Sequence, residues 1–599
     1  MPVFDDLGGE FKGKLREIKS TTRQTAEGGS TVTFSSAKID CDYSPSVVKK
    51  LATGQLVAIP NVQTIGTNDV FSVYEIADVY PMHYSQLTLD MSQPAAIRKE
   101  FLELIESEWL KGSKSTWIEI VAAPIGYVMR VNGASISFER KPYAPLTGSQ
   151  VRLLSRESVQ KLICYKPPAN PADYRFGSLL GVIDETIPFT VNIENLIHYH
   201  ASVFAFSGSG KSNLTAVVVR KALKVIPDLK VVILDVSSEY GIHILDVLNE
   251  LPSRVIFTDS FAGAKDPASE YFKRHVCPES LSGLKTRFEE KISELFSSDK
   301  VVFGEVPSAG AAEAAYYSTY GGLEDILTST LGDKYGAVQQ KILIPEVLNR
   351  IKAFTAKEGL TKESTFNSKT VKLISQVETL IADLPATSQL KKTFDGLRKV
   401  VEEGTPQEEL GKSIWDTLPD EILSTEKGSP RVFVINVPEA EDARAQTADV
   451  INKIFWRRKR SFSLTPKVLF IVDEAQEFIP QDARKGDNAF ESSRAVERLL
   501  RHGRKYNLHC WVSTQRVAHL NTSALQQLHS YFVSTMPRPY DRQLISDTFA
   551  IDDAFMDRTL AFQNGDWLMA SFKATATANI PVFFHAENNE DALRAYLTK

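Results

Sequence analysis

The sequence predicts an α/β protein with a phosphate-binding core, a β-rich segment ahead of that core and a helical segment inserted within it. Three observations carry this. Residues Ala201–Thr215 read ASVFAFSGSGKSNLT: an apolar run, a glycine-rich turn ending in Lys-Ser, then a helix-compatible run. That order is a phosphate-binding loop. Residues Lys467–Pro480 read KVLFIVDEAQEFIP, an apolar run that delivers two adjacent carboxylates to the end of a buried strand. Between these stretches, over residues 262–428, helical periodicity replaces the strand pattern.

Composition narrows the class. With 599 residues and 43% hydrophobic content the chain can fill several cores. The net charge is −5, so a surface for nucleic acid must be local, such as the lining of a channel. Cys41, Cys164, Cys277 and Cys510 have no paired spacing and read as isolated reduced thiols. The amino terminus lacks a basic-then-apolar signal, and no apolar run reaches the roughly 18 residues of a membrane span. The expectation is a soluble, cytoplasmic protein.

In chain order, residues 1–185 read as a β-rich barrel or sandwich serving as a docking domain. Short runs at Ser30–Ala37, Gln55–Pro60, Val70–Val79, Ser115–Ala123, Ala134–Glu139 and Gln150–Leu154 are separated by Gly, Pro and Asn. One helix is expected over Ala95–Leu110, and no catalytic set is visible. Exposed strand edges there would suit a partner chain, and a core lacking residues 1–165 is expected to fold alone. Residues 186–261 hold the first part of the core. Ser207, Gly208, Ser209 and Gly210 would turn backbone N–H groups toward phosphate, with Asn213 beside them at the helix N-terminus. Lys211 would reach the outer phosphates and Ser212 would ligate Mg²⁺. The strand Lys230–Val236 places Glu239 just beyond its carboxyl end, the edge where ligands of α/β sheets sit.

The insert, residues 262–428, has helical spacing at Leu284–Phe296, Ala337–Phe354, Lys369–Ala382 and Leu390–Glu402, with Pro345 expected to kink or restart the second. Residues 429–599 resume the core. Asp473 would hold the metal and Glu474 would orient and deprotonate the attacking water. The basic run Arg457–Arg460 ends a helix, where cations complement the dipole. A second basic helix, Asn488–Lys505, carries Arg494, Arg498, Arg501, Arg504 and Lys505. Its arginines suit DNA phosphates, a finger reaching a neighbouring subunit's nucleotide, or a solvated face. Gln515 ends the next strand, where it could sense the γ-phosphate.

The runs HYHASVFAFSGSGKSNLT, LDVSSEY, IVDEAQEFIP and RHGRKYNLHCWVSTQR resemble, in order and interval, the HerA branch of the HerA–FtsK superfamily. The chain departs from that pattern at Ala205 for glycine, at Val236-Ser237-Ser238 before Glu239-Tyr240, and at His502 for an acidic residue. The resemblance implies a RecA-like ATPase core and an N-terminal barrel of the HAS type, with GQLVAIP as its most familiar piece. It implies ATP and Mg²⁺ as cofactors, with Lys211, Ser212, Asp473, Glu474 and Gln515 forming the site. It makes Arg504, then Arg501, the trans-acting finger. The implied protein is a homo-hexameric, DNA-translocating ATPase or helicase without a membrane anchor. It would work beside a separate nuclease or sirtuin-like effector docked on the barrel, in DNA processing or antiphage defence. The alternative is a scaffold ATPase whose ring activates the effector with little translocation of its own.

Overall fold

The computed structural model describes the chain except residues 1, 25–30, 65–68, 88–93, 112–114, 134, 182–185, 262, 305–318, 333–337, 363, 365, 367–368, 386–387, 403–413, 437–440 and 485–487. The chain divides into two compact units: residues 1–303 together with 419–599, and residues 304–418.

The amino-terminal strands are β1 (Gly13–Gln24), β2 (Thr31–Asp42), β3 (Leu56–Pro60), β4 (Val70–His83), β5 (Thr116–Asn132), β6 (Ser135–Glu139) and β7 (Gln150–Leu153). They form one antiparallel sheet in the order β2-β1-β7-β3-β4-β5-β6. Pairing of β2 with β5 joins its ends, so six strands close into a barrel while β6 stands outside as a hairpin on β5. The alternation seen in the sequence becomes the barrel interior: Ile118, Ile120 and Ala122 are fully buried with Ile39, Val57 and Ile76. Closure also corrects the expectation of a platform of free edges, because a closed barrel pairs its strands all round. Among the described strands of this sheet, β6 has a single pairing partner and so presents an edge. The expected helix appears as Ala95–Lys111.

The core strands are β8 (Arg175–Leu179), β9 (Pro188–Thr190), β10 (Ala201–Phe204), β11 (Leu229–Asp235), β12 (Ser253–Phe257), β13 (Val301–Phe303), β14 (Val432–Asn436), β15 (Lys467–Val472), β16 (Leu508–Thr514), β17 (Ser530–Val533), β18 (Asp566–Ser571) and β19 (Val582–Ala586). The sheet order is β13-β12-β14-β11-β15-β16-β10-β17-β18-β19-β8-β9. From β13 to β17 the pairing is parallel, and from β17 to β9 antiparallel. The parallel strands are buried along both faces, which is why β11 and β15 each hold a run of consecutive apolar residues, Val231–Leu234 and Val468–Val472.

Two expected boundaries move. The core sheet already includes β8 at Arg175, ahead of the expected start at 186. There β8 pairs with β19 so closely that a Cβ on Gly177 would lie 1.8 Å from the His585 carbonyl oxygen. The separate helical unit is shorter than residues 262–428, because 262–303 pack with the core. The helix Lys285–Ser297 buries Phe288, Ile292 and Leu295 in the core's apolar cluster, and β13 extends the sheet. Helical periodicity does not distinguish a helix covering a sheet from one in a bundle, and a three-residue strand leaves no pattern to read. Within residues 304–418, helices Tyr320–Gly332, Val338–Glu358, Thr370–Leu380 and Gln389–Glu402 bury Leu323, Ile351, Leu373 and Phe394 together. One helix runs through Pro345 without a restart.

Barrel and core share one apolar cluster. Phe71, Val73, Tyr127 and Met129 of the barrel belong to the same cluster as Phe176, Phe189 and Phe584. Arg558 of the core donates to Glu75 of β4 at 3.0 Å, and Glu75 is 3% exposed. This continuity argues against the expectation that a core lacking residues 1–165 folds by itself, because truncation would uncover that cluster.

Candidate active site: the phosphate loop and its carboxylates

Strands β15, β16 and β10 lie side by side in parallel, so the segments leaving their carboxyl ends meet on one edge of the sheet. The turn after β10 needs its glycines: Gly208 has φ 81° and Gly210 φ 94°, in the left-handed region. Ala205, where a glycine is usual, is not among the positive-φ residues, so its methyl group introduces no backbone strain. Lys211 opens the helix Lys211–Val225, anchored by Leu214, Val218 and Val219 in the core. Glu474 leaves β15 with φ 44°, a strained position for a side chain and one that functional sites retain.

The polar groups form one network. The Lys211 ammonium pairs with the Glu474 carboxylate and lies 3.5 Å from Asp473 Oδ1. Gln515 Nε2 donates to Glu474 Oε1 at 2.5 Å, and Gln476 Nε2 donates to Oε2 at 2.9 Å. Ser207 Oγ donates to Gln515 Oε1 at 2.9 Å, tying the loop to β16. Ser212 Oγ donates to the Glu239 carboxylate. Burial alone would pull the Lys211 pKa down, but Asp473 and Glu474 outweigh it and raise it. Burial likewise pushes Glu474 upward, and Lys211 with the two glutamine amides brings it below the usual carboxylate range. Burial raises Glu239. It pushes Asp235 up to about 8 while that carboxyl accepts the Glu239 and Tyr240 amides at 3.1 and 2.9 Å.

The residues fit a divalent cation. Asp473 is fully buried, its Oδ1 accepts from Ser513 Oγ at 2.6 Å, and its Oδ2 has no hydrogen-bond partner. An unsatisfied buried carboxylate oxygen is costly unless a cation meets it. Among the described residues no three His, Cys, Asp or Glu side chains group to hold a metal by themselves, so a cation here would need water or ligand oxygens beside Asp473.

Lys211, Ser212 and Gln515 of this network open onto a cavity of about 440 Å³, within the range of small-molecule sites, whereas Asp473 and Glu474 lie behind them and do not line it. Ser207, Gly208, Gly210, Lys211, Ser212, Asn213, Glu239 and Gln515 line it. Ser209 adds its carbonyl to the turn, accepting from Gly565 N at 3.3 Å. The Asn213 amide is engaged with Glu587 O at 2.9 Å and Asn589 N at 2.7 Å, leaving its backbone as the group facing a ligand. Sequence reasoning missed the far wall: His243, Pro278, Asn564, Gly565, His585, Asn588 and Glu590. These residues come from loops, short helices and strand β19 with no motif, and the antiparallel strands β18 and β19 carry His585 and the Asn564-Gly565 turn there.

Arg501 and Arg504 do not line this cavity. Both are exposed and precede the start of β16, whose seven residues place them about 20 Å along the sheet from the phosphate-loop edge. The Arg504 guanidinium lies over the Tyr199 ring at 5.3 Å. Arg498 donates to Asn452 at 2.6 Å and covers Trp456, so part of the basic helix face packs internally. Arg458, from the earlier basic run, is 2% exposed and donates to the Thr465 and Ser463 carbonyls at 2.6 Å each. Its role is to hold a turn.

A family profile described as the helicase HerA central domain matches residues 174–253. No curated protein matches the chain significantly. Similar solved structures include VirB4 of Thermoanaerobacter pseudethanolicus, 15% identical with a TM-score of 0.36, covering 69% of this chain and 97% of that one. The bacterial conjugative coupling protein TrwB, lacking its first 70 residues, is 13% identical with a TM-score of 0.33, covering 73% and 94%. The genome packaging NTPase B204 of Sulfolobus turreted icosahedral virus 2, in complex with ATP-gammaS, is 17% identical with a TM-score of 0.20, covering 26% and 65%. The HerA profile begins where β8 enters the core sheet and spans the phosphate loop and β11. Residues 174–253 are thus similar to the HerA central domain.

Proposed function

We propose that the protein is an ATP-driven DNA translocase or helicase that works as a homo-hexameric ring, with a separate effector docked on its barrel. The observation that carries the ATPase part is the convergence of Lys211, Asp473, Glu474 and Gln515 on one buried edge beside the phosphate loop. ATP would lie with its phosphates on the amides of residues 207–212. Lys211 would leave Glu474 to reach the β- and γ-phosphates, which frees that carboxylate. Ser212 and Asp473 would hold Mg²⁺, which when bound neutralises phosphate charge. Glu474, oriented by Gln476 and Gln515, would take a proton from the attacking water. Gln515 touches both Ser207 of the loop and Glu474, so loss of the γ-phosphate would be felt along β16.

Two further parts of the reading assume the ring. Arg504 lies far from its own cavity, which suits a finger acting on a neighbour, with Arg501 as the second choice. A chain of net charge −5 presents converging cations to DNA only where symmetry gathers them, as in a channel. No helix of the described residues is long and apolar enough to cross a membrane. The effector, a nuclease or sirtuin-like enzyme, would supply chemistry for which the barrel has no catalytic set. The test is ATP turnover by the purified protein with and without DNA, at rising salt. Stimulation that fades as salt rises supports the motor. Turnover indifferent to DNA but raised by a co-purified effector would favour the scaffold reading.

A further inference from the structure

We infer that His585, held by Asp566, is a nucleotide-positioning residue that donates a hydrogen bond to the α/β-phosphate end of the bound nucleotide; this rests on the ATP reading of the cavity. The two residues face each other across β18 and β19. His585 Nδ1 donates to Asp566 Oδ1 at 2.7 Å, and the other carboxylate oxygen accepts the Gln563 amide at 3.0 Å. Asp566 is only 9% exposed, so the carboxylate is a fixed anchor. With Nδ1 taken up, the ring presents Nε2. The ring is about half exposed, and it lines the nucleotide cavity.

The turn beneath the ring is shaped for this placement. Gly565 has φ 92°, and a Cβ there would come within 2.9 Å of His585 Cε1. The same turn presses on the phosphate loop: Gly565 N donates to Ser209 O, and a Cβ on Gly210 would meet Asn564 Oδ1 at 3.0 Å. His585 is therefore one glycine away from the segment whose amides cradle the α- and β-phosphates. In the ATP reading, Lys211, Glu474 and Gln515 would serve the γ-phosphate instead. With the Asp566 carboxylate accepting from Nδ1, Nε2 donates to an anion only from the doubly protonated ring, which that carboxylate stabilises, so the contact is a charge-assisted bond from the imidazolium. The charged side chains sharing the cavity are Lys211, Glu239 and Glu590.

Two variants decide the matter. His585→Phe keeps a ring over Gly565 and removes both nitrogens, while His585→Gln keeps a donor. Binding of ADP and of ATP with Mg²⁺ is measured by calorimetry, alongside the melting midpoint and steady-state ATP turnover. His585→Phe is expected to weaken ADP and ATP by the same factor, about tenfold for a charge-assisted bond. KM should rise more than kcat falls, His585→Gln should recover most of the loss, and the nucleotide-free melting midpoint should stay put. Equal or tighter binding by His585→Phe would overturn the hydrogen bond in favour of ring stacking. A loss confined to ATP would place the contact at the γ-phosphate and also overturn it. A loss that glutamine does not restore, with a lowered midpoint, would mean a purely structural histidine. If the unaltered protein bound neither ADP nor ATP, the ATP reading itself would fall.

Discussion

Replacing Glu474 by Gln should have two opposite effects, and the structure sets their sizes. Lys211 is 8% exposed and shared between Glu474 and Asp473, so ATP has to draw its ammonium away from a buried carboxylate. A hydrogen bond to a charged group is worth about 1.5–3 kcal/mol net, and a glutamine oxygen in the same place still accepts one. The difference, about 1–2 kcal/mol, stops opposing ATP in Glu474→Gln and should tighten binding roughly 5- to 30-fold. The same change removes the proton acceptor beside Gln515 and Gln476, worth about 10²–10⁴ in kcat. The assay is ATP affinity by calorimetry together with steady-state turnover, in the variant and the parent protein. Unchanged or weaker binding would show that Glu474 does not compete for Lys211. Turnover within a few-fold of the parent would show that the general base lies elsewhere, with Glu239 the next carboxylate to test.

Acid should destabilise the fold early. Burial lowers the pKa of His200 to about 3 and of His243 and His275 to about 4, against about 6.5 in an unfolded chain. The folded state thus binds fewer protons than the unfolded state in this range. Its stability is complete above about pH 6.5 and falls as pH drops toward 4. At pH 5.5 each histidine costs about 1.4 kcal/mol, about 4 together, so the melting midpoint should drop clearly between pH 7.5 and 5.5; a flat midpoint would refute the buried-histidine account. Burial pushes Glu75 up to about 8 even beside Arg558, so Arg558→Ala leaves a carboxyl that can take up a proton; the loss should be about 1–3 kcal/mol near pH 7 and grow above pH 8, and Glu75→Gln beside it should recover much of it in thermal melting. For the trans finger, mixing Arg504→Ala subunits with Glu474→Gln subunits should restore ATPase activity at interfaces that pair the intact halves. No recovery at any ratio, with mixing confirmed, would remove Arg504 from that role.

Local sequence by itself determined the phosphate end of the site. A parallel strand buried on both faces is rich in apolar residues, and a loop that meets phosphate must be small and polar. Ser207 through Ser212, Asp473, Glu474 and Gln515 are therefore visible as run-then-motif, and the structure brings them together on one edge. Six of the barrel segment's strands were readable as well, because one face of each packs inward, but β1 (Gly13–Gln24) was not among the runs the sequence marked. What only tertiary structure decided depends on pairing between distant segments. Closure of the barrel rests on β2 meeting β5, and nothing local to either strand specifies that contact. The core's true limits rest on β8 meeting β19 and β13 meeting β12. The far wall of the cavity is the plainest case. His585, Asp566 and Gly565 lie more than 350 residues beyond the phosphate loop and carry no spacing that marks a site. Antiparallel strands β18 and β19 set His585 beside Gly565, which itself meets Gly210, and that placement comes from hydrogen-bond register rather than from any residue pattern.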